Sequence, residues 1–390
     1  KVCSLFRSLY ICSMIKGFRY RILPNSTQEQ QINQMLGNAR FVYNWALETR
    51  IEAYQKDKSK VSAFTLMTEL TKLKKQPEYN WLNLSVAQSL QQSIVNMEKA
   101  FTRFFREKKG FPRFKTKHRS KQVVGFPQNT KVDFENGKVS VNKIGWLRAR
   151  ISRTFEGKIK TSTIEKTATG KYYISITVEI PDIKIKQKPI KADTAVGIDT
   201  GIKTFATFSD GKEIENPKHL KSNLKRLKVL SKRVSKKVKG SNNRKKAVKK
   251  LAVLHERIAN QRLDFLHKTT TAIAKQYDTA IVENLNISGM LKNRKLSQSI
   301  ADLGLGRFYT LLEYKMKENG GNYIEIGRFE PSSRLCTCGT INKDLKLSDR
   351  VWTCQSCGKT HERDLLAANN IKRFGLKEQN LITFTAGTVG

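Results

Sequence analysis

Three acids in this 390-residue chain sit where an acid is costly to place. Asp199 ends the apolar run Val196-Gly197-Ile198 just before the turn residue Gly201. Glu283 ends Ala280-Ile281-Val282, and Asp364 closes His361-Glu362-Arg363-Asp364 ahead of the helical pattern Leu365–Ile371. A carboxylate at the edge of an apolar element is expensive to desolvate unless something binds it. Three such groups brought together from distant segments would suit a pair of divalent ions, since hard oxygen ligands favour Mg2+ or Mn2+. The competing reading is three unrelated surface acids.

A second set of chemistry-bearing residues is the cysteine window. Cys354-Gln355-Ser356-Cys357-Gly358 has the spacing of a zinc knuckle, with two thiolates two residues apart and a glycine to relieve the turn. Its expected partner, Cys336-Thr337-Cys338-Gly339, keeps the Cys-Gly ending but has one residue between the thiols, which makes it harder for both sulfurs to face one tetrahedral Zn2+. His361 stands nearby as a substitute ligand. Four chance cysteines in a loop would not be expected to cluster with paired Cys-Gly endings. The two remaining cysteines are Cys3 and Cys12.

The charge balance says what these sites would act on. There are 74 Lys and Arg against 33 Asp and Glu, a formal net charge of +41, which points to a polyanionic partner. No run approaches the ~18 apolar residues of a membrane span, so nucleic acid is favoured over a lipid surface and no membrane association is expected. The densest stretch is Lys218–Lys250, with fifteen Lys or Arg and no acid. Leu224, Leu227, Leu230, Val234 and then Val248, Leu251, Leu254 and Ile258 keep helical spacing on either side of Gly240-Ser241-Asn242-Asn243. The pattern predicts a helical hairpin with its apolar stripe docked and its cations free. A solvated face is the ordinary reading of a charge run, but like charges this dense repel unless bound, which favours phosphate contact.

The elements that would carry these residues read as follows. Lys16–Leu23 alternates apolar and basic residues, as a half-buried strand does. Ser26 with Glu29, or Thr27 with Gln30, has capping-box spacing and opens a helix in which Gly37 is a possible interruption. Further helices are expected over Phe64–Lys75, ended by Pro77, and over Val86–Lys108. The period then changes. Val123–Phe126, Val132–Phe134, Val139–Val141, Ile151–Phe155, Ile159–Ile164 and Tyr172–Ile180 predict a small β-barrel completed by Lys16–Leu23. Pro181–Lys191 reads as a linker, Asn293–Phe308 as a basic loop, Arg307–Glu318 as a helix, Tyr323–Ile326 as a strand, and 375–390 as a loose tail.

In order and spacing these residues resemble the TnpB (OrfB) family of insertion-sequence nucleases, relatives of the type V CRISPR effectors. The matching blocks are Asn38-Ala39-Arg40-Phe41-Val42-Tyr43-Asn44-Trp45, Gly110-Phe111-Pro112-Arg113-Phe114-Lys115, Gly197 to Lys203, Asp264-Phe265-Leu266-His267-Lys268, Val282-Glu283-Asn284-Leu285, Pro331-Ser332-Ser333-Arg334, and Trp352-Thr353-Cys354 through Asp364. The resemblance implies an α/β fold class with a β-barrel and a helical lobe: an RNase H-like (RuvC) nuclease domain with an inserted zinc ribbon, a wedge β-barrel and a helical recognition domain. The layout it implies is a leader over 1–13 with Met14 as the start, a first wedge strand over 14–26, the recognition domain over 27–110, and the barrel over 111–185. The nuclease would then occupy 186–330 with its basic hairpin at 217–278, the ribbon 331–360, the last nuclease segment 361–374 and the tail 375–390.

Asp199, Glu283 and Asp364 would be the catalytic acids holding Mg2+ or Mn2+, and Cys336, Cys338, Cys354 and Cys357 the Zn2+ ligands. The function implied is RNA-guided DNA cleavage beside a short target-adjacent motif, by two-metal phosphodiester hydrolysis. A guide RNA from the transposon end and target DNA would be the partners, in a monomeric ribonucleoprotein located in the cytoplasm at the nucleoid. Lys225, Arg226, Lys232, Arg233, Arg294 and Lys295 are candidates for RNA or heteroduplex phosphates, and Gln91, Gln128 and Asn129 for the target-adjacent duplex. Exposed polar side chains without a partner are the competing reading there. Leu366 departs from the family pattern, standing where an Asn usually follows the last acid, and Leu305 stands where an aromatic is common. A nuclease-inactive, RNA-guided repressor of the same family is the alternative function, though such proteins usually lose one of the acids.

Overall fold

A computed structural model describes residues 14–118, 120–180, 186–346 and 348–379; the expected leader, the start of the linker and the end of the tail lie outside them. The chain divides into two compact units, 1–183 and 184–390.

The first unit opens with β1 (Met14–Leu23) and a long helix, α1 (Ser26–Asp57). The cap falls earlier than either spacing suggested, one residue before Ser26 and two before Thr27. Asn25 accepts from the Gln28 N–H while the Gln28 side chain accepts from the Asn25 N–H, a capping box with Asn and Gln in place of Ser and Glu. Gly37 does not interrupt the helix, whose buried stripe from Ile32 to Leu47 runs past it. After α2 (Ala63–Leu73), Pro77 opens a 3-10 segment, Pro77–Leu84, that leads into α3 (Ala87–Glu107). Val42, Leu47, Leu66, Leu82, Leu90, Ile94 and Met97 pack into the core of this helical part.

Two polar residues of the Asn38–Trp45 block are structural. Asn38 is buried and donates to Ser85 Oγ at 2.8 Å and the Trp81 carbonyl at 3.2 Å. Asn44 holds the backbone of Lys115 from both sides, accepting from its N–H at 2.7 Å and donating to its carbonyl at 2.9 Å. That pair fixes the exit of the helical part onto the strands.

The strands β2 (Gln122–Phe126), β3 (Lys131–Asp133), β4 (Lys138–Val141), β5 (Gly145–Arg150), β6 (Lys158–Lys166) and β7 (Tyr172–Ile180) form an antiparallel sheet with β1, in the order β2-β6-β7-β1-β5-β4-β3. As expected, β1 completes it, pairing with both β7 and β5. Two expectations fail. Ile151–Phe155 is irregular, and the strand lies just before it in β5, where Leu147 is buried and its neighbours Trp146 and Arg148 are exposed. The barrel is also open: among the described ladders β2 and β3 end the sheet without pairing to each other. The sheet nevertheless coils around one core shared by Tyr20, Phe126, Val141, Ile174 and Ile176, and Thr130, next to β3, meets Ser162 on β6 at 2.6 Å.

The second unit is built on a mixed sheet of β8 (Ala195–Thr200), β9 (Thr204–Phe208), β10 (Glu213–Glu215), β11 (Thr279–Glu283) and β12 (Asn322–Ile326), in the order β10-β9-β8-β11-β12. The first three are antiparallel, whereas β8, β11 and β12 run parallel. The expected hairpin is α4 (His219–Ser235) and α5 (Asn242–Gln276), turning at Gly240 and capped by Ser241, which accepts from the Arg244 N–H. Arg244 also donates to the Val234 and Lys237 carbonyls, tying the turn. Leu227, Leu254 and Ile258 form the hairpin's own small core, and farther along α5 Leu266 and Ile273 reach the core under the sheet.

The stretch read as a basic loop holds two short helices, α6 (Ile287–Met290) and α7 (Ser297–Leu303), before α8 (Leu305–Glu318). Ile300 and Leu303 are buried, and Asp302 accepts from the Leu220 N–H and from Arg262, which anchors the loop to both hairpin helices. Leu305 is buried with Phe308 in the same core, so an apolar side chain of any shape that fits serves there. The ribbon strands β13 (Val351–Thr353) and β14 (Thr360–Glu362) lead directly into α9 (Arg363–Glu378). The tail expected from residue 375 is, in its described part, the last turn of α9, held by buried Gly375 and Leu376. Among the described residues no helix is long and apolar enough to cross a membrane.

Candidate metal centres and nucleic-acid surfaces

The sheet of the second unit explains how three distant acids come together. In a strand, alternate residues share a face. The ladder pairs Ile281 with Gly197 and Val282 with Ile198, so one step further Glu283 lies beside Asp199 on the adjacent strand. Helix α9 lies on the face that Gly197 and Ile281 present. A Cβ built on Gly197 would fall 2.1 Å from the Ala368 carbonyl oxygen, and one on Gly375 would fall 2.4 Å from Ile281 Cγ2. Asp199 and Glu283 have the same parity as Gly197 and Ile281, so both carboxylates project on the α9 side. Asp364 stands in the first turn of that helix, where the positive end of the helix dipole favours an anion. The three acids therefore lie past the carboxyl ends of parallel strands, where open α/β sheets place their ligands, close enough for Glu283 and Asp364 to act on Asp199. Their oxygens are not drawn within 4.8 Å of one another as the cysteine sulfurs are.

Their mutual effect appears in the protonation of Asp199. Burial, then Glu283 and Asp364, push its carboxyl up to about 7, against the opposing pull of Arg363. Like charges that cannot be solvated hold a proton until a cation replaces it. The donor set is three carboxylates with no sulfur or imidazole, which fits Mg2+ or Mn2+. Glu283 and Asp364 already have oriented partners. Ser332 Oγ donates to Glu283 Oε1 at 2.5 Å, Arg350 meets both Asp364 oxygens at 3.2 and 3.3 Å, and Tyr309 and Thr200 share a 2.8 Å hydrogen bond beside Asp199. Arg350 and Tyr309 were missed in the sequence. A lone Arg or Tyr carries no spacing signal.

The ribbon brings all four cysteine sulfurs together, each within 4.8 Å of the others, despite the shortened Cys-x-Cys half. Cys336 Sγ lies 3.6 Å from Cys357 Sγ, and Cys338 Sγ 3.6 Å from Cys354 Sγ. A tetrahedron with Zn–S bonds of about 2.3 Å has edges of about 3.8 Å, so these separations fit one zinc ion. Hydrogen bonds from Thr340 pull the Cys338 thiol down to about 6, while burial pushes Cys336 up to about 12. His361 is not needed as a fourth ligand. Its Nε2 sits 3.0 Å from Cys336 Sγ and its ring packs on Trp352, which fixes one sulfur from outside the set. Leu366 has a different job from the one its sequence position suggested: it is buried with Cys336, Leu345, Trp352 and Cys354, in the ribbon's core.

The residues chosen for nucleic acid are spread over both units. Lys225, Arg226, Lys232 and Arg233 are exposed on α4, opposite its buried Leu227, and Arg294 and Lys295 are exposed between α6 and α7. In the first unit Gln91 is half-buried on α3, while Gln128 and Asn129 are exposed at the end of β2. Gln128 is already engaged, accepting from Gln88 at 2.9 Å, and Asn129 adopts a left-handed backbone at φ +60°.

The architecture and acid cluster define a class of α/β chain with carboxylates grouped at the strand ends and a four-cysteine ribbon feeding its last helix. A solved structure described as a Cas12f1-sgRNA-target DNA complex shares the fold at a TM-score of 0.55, with 14% identity, over 92% of this chain and 99% of that one. The chain belongs to the TnpB (OrfB) family. A family profile described as "Probable transposase" matches residues 175–294, "Helix-turn-helix domain" matches 14–59, and "Cas12f1-like, TNB domain" matches 306–371. A Streptomyces pristinaespiralis protein named "Putative RNA-guided DNA endonuclease" is 37% identical over 93% of this chain and 89% of its own length. InsQ of Escherichia coli (strain K12), which carries the same description, is 34% identical over 93% and 92%.

Proposed function

We propose that this chain is an RNA-guided DNA endonuclease of an insertion sequence. The observation that carries the reading is the convergence of Asp199, Glu283 and Asp364 on one face of a mixed sheet, in a chain matched almost end to end by relatives named for that activity. The sheet's antiparallel trio followed by two parallel strands supports an RNase H-like, RuvC-type nuclease domain, with the four-cysteine ribbon as a Zn2+ site held by Cys336, Cys338, Cys354 and Cys357.

Bound Mg2+ or Mn2+ would supply activation of the attacking water and stabilisation of the leaving 3′ oxygen. The protein's own groups do the rest. Asp199, buried and influenced by the other two acids, would release its proton when a cation is held there, which its raised pKa makes possible near neutral pH. Ser332 aims Glu283, and Arg350 orients the Asp364 carboxylate. The exposed cations of α4 and of the α6–α7 segment hold phosphates of the guide RNA and its heteroduplex, while base pairing supplies sequence choice. Gln91, Gln128 and Asn129 read the target-adjacent duplex. The working form is a monomeric ribonucleoprotein in the cytoplasm. Retention of all three acids favours cleavage over a repressor that binds without cutting.

The test is to purify the protein with RNA transcribed from its flanking DNA and supply a target library randomised beside the match, with Mg2+. Cleavage is expected beside a short motif and is expected to vanish in Asp199→Ala while target binding persists. Binding without cleavage by the unaltered protein would establish the repressor instead.

A further inference from the structure

Phe329 is 94% exposed, the most exposed large apolar side chain among the described residues. A phenylalanine on a free surface is unremarkable if its loop is slack. Here the loop is pinned. It leaves β12 at Ile326, the residue paired with Glu283, and turns through the Glu330 N–H bond to the Gly327 carbonyl. Arg328 donates to Asn284 Oδ1 at 3.1 Å, Ser332 donates to Glu283, and Asn370 on α9 donates to the Ser332 carbonyl at 2.7 Å. The segment carrying Phe329 is thus fastened on both sides to Glu283 and its neighbour Asn284, and from behind by the helix that presents Asp364. An aromatic ring left in water on a loop tied to Glu283 and Asn284 has no packing role in the fold.

We propose that Phe329 is a positioning residue that stacks on an unpaired nucleobase of the strand entering the acid cluster. The inference rests on the nuclease reading above. The chemistry fits a base better than other occupants. A strand whose phosphate lies at the carboxylates must present its neighbouring bases within a few ångströms, and every base offers a flat face to an aromatic ring whatever its identity. A second copy of this chain is a poor alternative, because its net charge of +41 opposes close approach of two such surfaces. Stacking acts through the ring face and leaves the phosphates to the cations and metals, so it would orient a strand without selecting its sequence.

The experiment uses the full chain with its guide RNA and target strands carrying 2-aminopurine at successive positions around the cut. In Ca2+, to permit binding without turnover, one position is expected to be quenched by the unaltered protein and not by Phe329→Ala. In Mg2+, Phe329→Ala is expected to raise KM for a single-stranded substrate about tenfold, the effect of losing one stacked base. Phe329→Trp should restore both readouts and Phe329→Leu neither. Because the side chain is exposed, the thermal midpoint should not move. Equal quenching and equal kinetics in Phe329→Ala would overturn the proposal, as would full rescue by Leu, which would mark a plain apolar contact with a protein. A failure of the nuclease reading looks different: cleavage would survive Asp199→Ala, or be absent from the unaltered protein, whatever stands at position 329. The fluorescence measurement needs no cutting and decides the stacking in either case.

Discussion

At the residue scale, Asp199 carries a cost that the fold imposes. Its carboxyl is raised from 3.8 to about 7, so between those values the folded chain binds a proton that the unfolded chain has released. Stability therefore falls as pH rises through that window when no metal is present. In EDTA, the thermal midpoint of the unaltered protein is expected to drop between pH 4 and pH 8 by more than that of Asp199→Asn, which should be the more stable of the two at pH 8. Mg2+ should then raise the midpoint of the unaltered protein at pH 8 and leave that of Asp199→Asn nearly in place. Differential scanning fluorimetry across pH with and without metal reads both effects, and equal pH slopes for the two proteins would contradict the raised pKa that burial and the neighbouring acids give Asp199.

At the scale of elements, α9 is the piece that joins the two metal centres. It begins where β14 ends, carries Asp364 in its first turn, buries Leu366 among the ribbon cysteines, and lies against Gly197 and Ile281 of the sheet. A side chain at Gly197 would meet backbone atoms of Ala368 and Lys372, which cannot rotate away. Gly197→Ala is therefore expected to cost about 3 kcal/mol, at the upper end of ordinary overpacking, and to reduce cleavage because α9 can relieve the clash only by moving Asp364. Urea denaturation and cleavage kinetics on the same samples check it. A Gly197→Ala protein of normal stability and activity would mean that α9 does not ride on β8 as closely as described.

At the scale of the whole molecule, the dominant fact is charge. The hairpin carries fifteen cations over 218–250 without an acid. Although Leu227, Leu254 and Ile258 form a small internal core, Val248, expected in the docked stripe, is exposed; the cations on its outer face are left for phosphate. Replacing Lys225, Arg226, Lys232 and Arg233 together with Gln is expected to weaken guide-RNA binding. It should also flatten the salt dependence, lowering the log–log slope by about 3, from four contacts at about 0.7 each. Filter binding from 50 to 300 mM salt measures the slope. An unchanged slope would return the hairpin to an ordinary solvated face.

The amino-acid sequence alone carried the family, the three acids, the four cysteines and the helical hairpin, because each depends on residue type and short spacing, which survive without knowledge of the fold. It also located most strands, since alternation is a local signal. It misplaced the Asn25 cap and β5, and it read the Asn293–Phe308 stretch as a loop although buried Ile300 and Leu303 make helix α7 there. The cap was decided locally, by Asn25 and Gln28 outcompeting the Ser26 and Thr27 spacings, whereas β5 and α7 were weak local patterns decided by burial of Leu147, Ile300 and Leu303. What only the tertiary structure settled is which groups share a face. Strand register put Glu283 beside Asp199, the bare Cα of Gly197 let α9 bring Asp364 to them, and the ribbon's fold overcame the shortened Cys-x-Cys by drawing Cys338 toward Cys354 and assigning Leu366 to its core. Such proximities are set by the three-dimensional path of the chain between distant residues, and no spacing along the sequence encodes them.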